Sequence, residues 1–283
     1  MKLGDWTFRV FTDGRFRLDG GAMFGVVPRT MWEKQHPADE SNRIELALRC
    51  LLAENEDRRI LVDTGIGDRW EEKYLQIYAI DREPDHLRAE LSAAGVKPET
   101  ITDVVLTHLH FDHCGGAVRQ GDAGLEPTFP EAVYWVQEKQ WNWADRPTER
   151  DRASFRREDF KPIEEAGKLK LVEGNSEIMP GVRTVPIHGH TPGQQLVEFH
   201  TGAGVVVYVC DLLPFASQVH PPWIMSFDLN PLLTLDEKVE FLSRACEEKF
   251  ILVFEHDPVV EACTVEFEDG RFRVAEAFTL AER

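Results

Sequence analysis

The apolar positions of this chain fall into short blocks. Two of them, IELALRCLLA (44–53) and RRILVDTG (58–65), are nearly continuous and are separated only by the polar turn ENED, a spacing that predicts a β-hairpin. PDHLRAELSAAG (84–95) instead sets Leu87 and Leu91 four apart and ends on Gly95, the period and stop of a helix. TDVVLT (102–107) reads as a short buried strand. The second half repeats the logic. GVRTVPI (181–187), QLVEFH (195–200) and GVVVYVC (204–210) read as strands, punctuated by Gly and Pro. TLDEKVEFLSRACEEK (234–249) reads as a helix, with Thr234 and Glu237 as a capping box and Leu235, Val239, Leu242 and Cys246 on one face. FILVF (250–254) is a further strand, and TVEFE with RFRVAEAF closes the chain as a hairpin around Asp269-Gly270.

Strands and helices alternate without a linker-like stretch, which predicts one α/β domain over residues 1–283. The densely charged stretch 146–165 reads as a solvated helical face, with a lid or a homodimer contact as the sharper alternatives. A net charge of −18 disfavours nucleic acid as a partner and is compatible with cationic cofactors. No apolar run reaches the length of a membrane helix, and Asp5 and Arg9 interrupt any leader-like segment. The five cysteines are scattered, with no C-x-x-C pair, as expected of a reduced, cytoplasmic protein.

The densest chemistry lies in THLHFDHCGG, where His108, His110, Asp112 and His113 occupy six consecutive positions directly after a strand. Imidazole nitrogens and carboxylate oxygens suit zinc, iron, manganese or cobalt. A histidine-rich loop without metal is the plainer alternative. Against it, three more ligand-type residues also follow apolar strands: His190 in HTPG, Asp211 after VVVYVC and His256 after FILVFE. A structural zinc site would use four closed ligands, often cysteine; seven candidates with no cysteine point to catalysis. His188 competes with His190 for the ligand role but reads as packing or support. His220 reads as an ordinary loop residue that could still reach the pocket, and His36, His86 and His200 lack a ligand context.

The ordered set H-x-H-x-D-H, HTPG, Asp after a strand and a late His resembles the metallo-β-lactamase superfamily over about residues 44–258. The resemblance implies an α/β fold, a four-layer αβ/βα sandwich with the metal site at the edge between two sheets. It implies two divalent ions, zinc foremost, with iron, manganese or cobalt as alternatives. His108, His110 and His190 would hold the first, Asp112, His113 and His256 the second, and Asp211 would bridge them, with Asp63 as a support. The implied reaction is hydrolysis by a hydroxide shared between the ions, with Asp112 and Asp211 as the catalytic carboxylates and Asp112 returning a proton to the leaving alkoxide.

Within that family, the flavodiiron proteins carry Glu where this chain has His110. Glyoxalase II enzymes need a helical C-terminal domain, and only residues 257–283 follow His256 here. The RNA-processing nucleases need a basic surface. What remains resembles the lactonase and esterase branch, including N-acyl homoserine lactonases and methyl parathion hydrolase. This resemblance implies a lactone or ester of a small hydrophobic molecule as substrate, with an aryl phosphotriester hydrolase or a metal-binding regulatory protein as alternatives. Two departures stand out: Pro214 lies where the lactonases often place a Tyr three residues after the bridging Asp, and Gln194 lies where many relatives read HTPGH. Two loops, 20–32 and 212–225, offer Met23, Phe24, Trp32, Phe215, His220, Trp223 and Met225 as candidate substrate contacts, alongside Phe111. Arg29 and His220, with Lys34 just past the first loop, are the only cationic or near-cationic groups they offer, which favours a neutral substrate.

Overall fold

The computed structural model describes residues 1–83 and 85–283. Its first sheet runs in the order β1 (Lys2–Leu3), β2 (Trp6–Asp19), β3 (Arg43–Glu54), β4 (Arg59–Val62), β5 (Asp103–Val105), β8 (Val133–Gln137) and β9 (Leu169–Val172). A small separate hairpin, β6 (Val118–Gly121) and β7 (Gly124–Pro127), interrupts it in sequence. The second sheet runs β10 (Ser176–Met179), β11 (Val182–Ile187), β12 (Gln194–His200), β13 (Val205–Tyr208), β14 (Ile251–Val253), β15 (Ala262–Glu268) and β16 (Arg271–Phe278). The helices are α1 (Gly20–Phe24), α2 (Arg29–Trp32), α3 (Glu72–Ile77), α4 (His86–Ala93), α5 (Phe111–Cys114), α6 (Glu138–Asp145), α7 (Lys161–Glu165) and α8 (Pro231–Glu247).

The apolar runs are continuous because their strands are buried on both faces. Leu51, Ile60, Val62 and Val105 face the second sheet and pack with Val197, Phe199 and Val206. Their sequence neighbours Leu52, Leu61 and Val104 face outward, under Leu87 and Leu91 of α4, Trp141 of α6 and Ile163 of α7. Phe241, Leu242 and Ala245 of α8 pack with the second sheet. The resulting layers are helices, sheet, sheet, helix, the expected αβ/βα sandwich.

Local differences from the sequence reading have physical causes. The expected helix 84–95 is observed as α4; Pro84 lies outside the described residues. The expected strand 204–210 ends at Tyr208, because Cys210 adopts a left-handed φ of 39° and turns the chain. Helix α8 starts at Pro231, a residue suited to the first helical position, rather than at Thr234. The Thr234–Glu237 capping box therefore does not form. Glu237 instead accepts the backbone N–H groups of His188 (2.7 Å) and Gly189 (2.9 Å), bracing the loop that carries His190. The closing hairpin turns on Asp269 and Gly270, both at positive φ (50° and 74°), as a tight two-residue turn requires. Among the described residues, no helix is long and apolar enough to cross a membrane.

Candidate metal centre and the cavity above it

Four loops carry the site, and each leaves the C-terminal end of a strand. The histidine cluster follows β5, His190 follows β11, Asp211 follows β13 and His256 follows β14. Because β13 and β14 are parallel neighbours, Asp211 and His256 emerge side by side. Likewise β4 and β5 are parallel, which sets Asp63, just past β4, beside the histidine cluster. Gly115 and Gly116 lie so close to the carbonyls of Ile66 and Thr64 that a Cβ at either position would clash.

The seven candidate ligands are buried and converge in two groups. His108, His110, His190 and Asp211 form one; Asp112, His113 and His256 form the other. Within the first, His108 Nε2 lies 3.0 Å and His190 Nε2 3.2 Å from His110 Nδ1. Within the second, His256 Nε2 lies 3.3 Å from His113 Nε2. Asp211 faces both. Its Oδ2 is 3.1 Å from His190 Nε2, and its Oδ1 is 3.2 Å from His256 Nε2 and 3.6 Å from His113 Nε2.

Three of the inward nitrogens are fixed by what the ring does on its other side. His113 Nδ1 donates toward Asp63 (3.0 Å) and Glu255 (2.7 Å). His190 Nδ1 donates to Asp228 (2.8 Å), and His256 Nδ1 to the Ala47 carbonyl (2.9 Å). Such bonds put the proton on the outer nitrogen and leave the inner lone pair free for a cation. Asp63 is held in turn by the N–H and hydroxyl of Thr107, both at 2.7 Å, and sits at a left-handed φ of 56°. Glu255 also accepts from Tyr208 Oη at 2.8 Å. With its amide turned so that the oxygen faces them, Gln194 accepts the N–H groups of Asp211 and Leu212, both at 3.2 Å, so the residue in place of the family's histidine braces the Asp211 loop.

The electrostatics favour cations at this point. Asp63, Asp112, Asp211, Asp228 and Glu255 cluster around the histidines with no ion pair to Lys or Arg among the described residues. Burial opposes charge on His190 and His256, but the facing carboxylates outweigh it and raise these imidazoles to about 10 and about 9. His108 and His110 have less compensation, and burial pushes them well down. Asp211 Oδ1 and His110 Nε2 are buried without hydrogen-bond partners. Paired ring nitrogens facing one another, an orphaned carboxylate oxygen and an excess of buried anions are what a pair of divalent cations would satisfy, so the donor set fits the implied metals.

Above this floor opens a cavity of about 640 Å³. His110, Phe111, Asp112, His190, Asp211 and His256 form its base. Leu18 and Met23 wall it from the β2–α1 junction, Leu46 from β3, Ile77 and Tyr78 from the end of α3, and Met225, Phe227 and Leu229 from the loop before α8. Of the eight candidate substrate contacts, Met23, Phe111 and Met225 line the cavity. Phe24, Trp32, Phe215, Trp223 and His220 do not, which corrects the sequence reading. Phe24 stacks on Trp32 (5.5 Å) and Phe215 (5.7 Å) and meets Trp223 edge-on (5.6 Å), so these rings build a core cluster beside the cavity. His220 is exposed and stacks on Trp223. His188 turns away from the site and accepts the Gly193 N–H at 3.0 Å.

Two further expectations are corrected. Residues 146–165 form no continuous helical face. Their first part runs as short turns beside the site, where Phe155 packs on His110 (4.7 Å), Arg156 stacks over Trp70 (4.3 Å), and Arg150, Asp151, Ala153 and Ser154 line the cavity; their end is the short helix α7, with Ile163 in the core. The cavity's cations are not Arg29, Lys34 and His220 but Arg17, Arg43 and Arg150. Arg17 and Arg43 are paired with Glu45 (3.1 Å) and Asp39 (2.9 Å), while Arg150 bonds the Ser226 carbonyl at 2.6 Å. Sequence reasoning missed Glu255, Asp228 and Tyr78. Glu255 directly precedes His256, and that adjacency was the one signal available.

Comparison with known proteins accords with this geometry. The metallo-β-lactamase superfamily profile matches residues 47–254. A solved structure of a probable metal-dependent hydrolase from Staphylococcus aureus is 29% identical, covering 99% of this chain and 98% of its own, with a TM-score of 0.90. An N-acyl homoserine lactonase of Bacillus cereus is 27% identical over 76% of this chain and 83% of its own length. A dizinc quorum-quenching lactonase shares the fold, with a TM-score of 0.79 at 22% identity over 99% and 97% of the two chains. The chain thus belongs to the metallo-β-lactamase superfamily and is a metal-dependent hydrolase.

Proposed function

We propose that this hydrolase works with two divalent ions and opens lactones or cleaves esters of small, largely hydrophobic molecules, acyl homoserine lactones among them. The observation that carries the reading is Asp211, whose two oxygens face the two separate ligand groups. His108, His110 and His190 would hold one ion, Asp112, His113 and His256 the other, and Asp211 both. When bound, such ions, zinc being the first candidate for this nitrogen and oxygen set, polarise a carbonyl and make water acidic enough to attack at neutral pH.

The chain's own residues supply the rest. The outer partners Asp63, Glu255, Asp228 and the Ala47 carbonyl hold the imidazoles in place. Asp112 both faces His256 and lines the cavity, which supports a role for its carboxylate in taking the proton of the attacking water and passing it to the departing alkoxide. Apolar walls suit an acyl chain or ring. The lactonase relative supports an acyl lactone as substrate. The net charge of −18 argues against nucleic acid, and five unpaired cysteines suit a reducing compartment such as the cytoplasm.

The test is side-by-side kinetics of metal-replete protein on an acyl lactone, an aryl ester, a phosphotriester, a β-lactam and RNA. Lactone or ester should exceed β-lactam and RNA by at least about tenfold in kcat/KM, roughly 1.4 kcal/mol of transition-state preference. Faster turnover of β-lactam or RNA would overturn the substrate class.

A further inference from the structure

The cavity wall is largely apolar, and its arginines are already engaged, Arg17 with Glu45, Arg43 with Asp39 and Arg150 with the Ser226 carbonyl. Tyr78 lines the cavity, and its hydroxyl has no hydrogen-bond partner among the described residues. The two fully buried tyrosines differ: Tyr134 Oη bonds the Phe129 N–H (3.0 Å) and the Ala117 carbonyl (3.3 Å), and Tyr208 Oη bonds the Arg49 carbonyl (2.6 Å) and Glu255 (2.8 Å). A phenol on the wall of a ligand cavity, with an apolar body and a polar tip unbonded among the described residues, is a ready-made recognition group.

Its position is firmly held. The Tyr78 N–H donates to the Tyr74 carbonyl at 3.0 Å, and its carbonyl accepts the Arg17 N–H of β2 at 2.6 Å. The ring lies 5.1 Å from Phe111, meets Trp70 edge-on at 5.8 Å and stacks with Tyr74 at 6.4 Å. Phe111 sits between His110 and Asp112 in sequence, so the phenol stands on the wall one ring removed from the metal floor. Burial, and then the charge of Asp112, push the phenol above its ordinary range. At neutral pH it is therefore an O–H donor, not a base or a nucleophile.

We propose that Tyr78 is a specificity-determining residue whose hydroxyl donates a hydrogen bond to a second carbonyl oxygen of the substrate, distinct from the one attacked at the floor. This inference rests on the hydrolase reading above. The site then prefers acyl compounds with an additional carbonyl, such as an N-acyl amino-lactone, over plain alkyl lactones. Discrimination works in both directions. A substrate with the acceptor pairs with the phenol, while one without it strips water from the phenol and returns nothing.

The experiment compares wild type with Tyr78→Phe, which removes one oxygen and keeps the packed ring. Two substrates of equal length are used, an N-acyl amino-lactone and an alkyl lactone. Tyr78→Phe should lower kcat/KM for the amide-bearing lactone by about fivefold, chiefly through KM, and change the alkyl lactone by less than about twofold. An equal change on both substrates, or no change on either, overturns the role. A second arm needs no turnover: a non-hydrolysable lactam analogue of the amide-bearing substrate is titrated by tryptophan fluorescence, and its Kd should rise about fivefold in the variant. Equal binding by the two proteins, or none by either, overturns the inference even where lactonase activity stands. A Tyr78-dependent difference in lactam binding with no lactone turnover retains it and removes the hydrolase substrate instead. Metal content and Tm of the variant should match wild type.

Discussion

The floor and the walls of the cavity are built by opposite strategies. The ligand-type side chains on the floor leave the ends of strands and are buried, and three of the histidines have their outer edge fixed by a second residue: His113 by Asp63 and Glu255, His190 by Asp228, His256 by a carbonyl. The walls come from segments far apart in sequence, around residues 18–23, 77–78, 150–154 and 225–229, and present mostly side chains without polar partners. The floor is thus held in one arrangement by interlocking hydrogen bonds, as reaction chemistry demands. The walls are held mainly by packing and by a few ion pairs such as Arg17–Glu45 and Arg43–Asp39, so they can change with the substrate while the floor stays fixed.

The sharpest way to break this contrast is at the floor. Asp211→Ala should lower kcat/KM by on the order of a thousandfold or more and reduce bound metal, while circular dichroism reports an intact fold, because two cations would lose their shared anion. Near-wild-type turnover would remove Asp211 from the site. One shell outward, Asp228→Asn should cost between about tenfold and a hundredfold in metal affinity or activity, measured by competition with a chelator, since it unfixes His190.

At the walls, two phenylalanines separate lining from packing. Phe24→Ala, in the aromatic stack, should cost about 3–5 kcal/mol of stability in a denaturant titration. Phe227→Ala, at a cavity residue that is 42% exposed, should stay within about 0.5 kcal/mol of wild type and instead raise KM for hydrophobic substrates by several-fold. The opposite pattern would mean that wall and core have been exchanged. The smallest effect belongs to His188→Ala. It should leave kcat/KM within about threefold, because His188 faces the Gly193 N–H and not the floor; a loss matching that of His190→Ala would exchange the two histidines.

The same contrast explains what could be read in the chain without coordinates. His108, His110, Asp112 and His113 stand out because ligand-type residues are rare at that density and because a buried strand ends just before them. Two-faced apolar runs such as Leu51–Leu52 and Val104–Val105 likewise announce buried strands and hence the layered fold. The walls gave no such signal. Phe24, Trp32 and Phe215 have the composition of a binding loop and pack as core, whereas Leu18, Ile77 and Phe227 look like any surface hydrophobe and line the cavity. Apolar side chains have no directional chemistry, so which of them borders empty space is decided by tertiary packing alone. Glu237 illustrates the same limit for polar groups: its sequence position suggests a helix cap, and its partners are two N–H groups on a distant loop.

In the proposed centre these seven residues hold two ions joined by Asp211. The most direct measurement is metal stoichiometry by elemental analysis of metal-replete wild type and Asp211→Ala, with hydrolytic activity followed as metal is titrated into the stripped protein. Saturation is expected near two ions per chain, with activity complete only when both are bound and at least one ion lost from the variant. Saturation at a single ion with full activity, or unchanged metal content in Asp211→Ala, would contradict it.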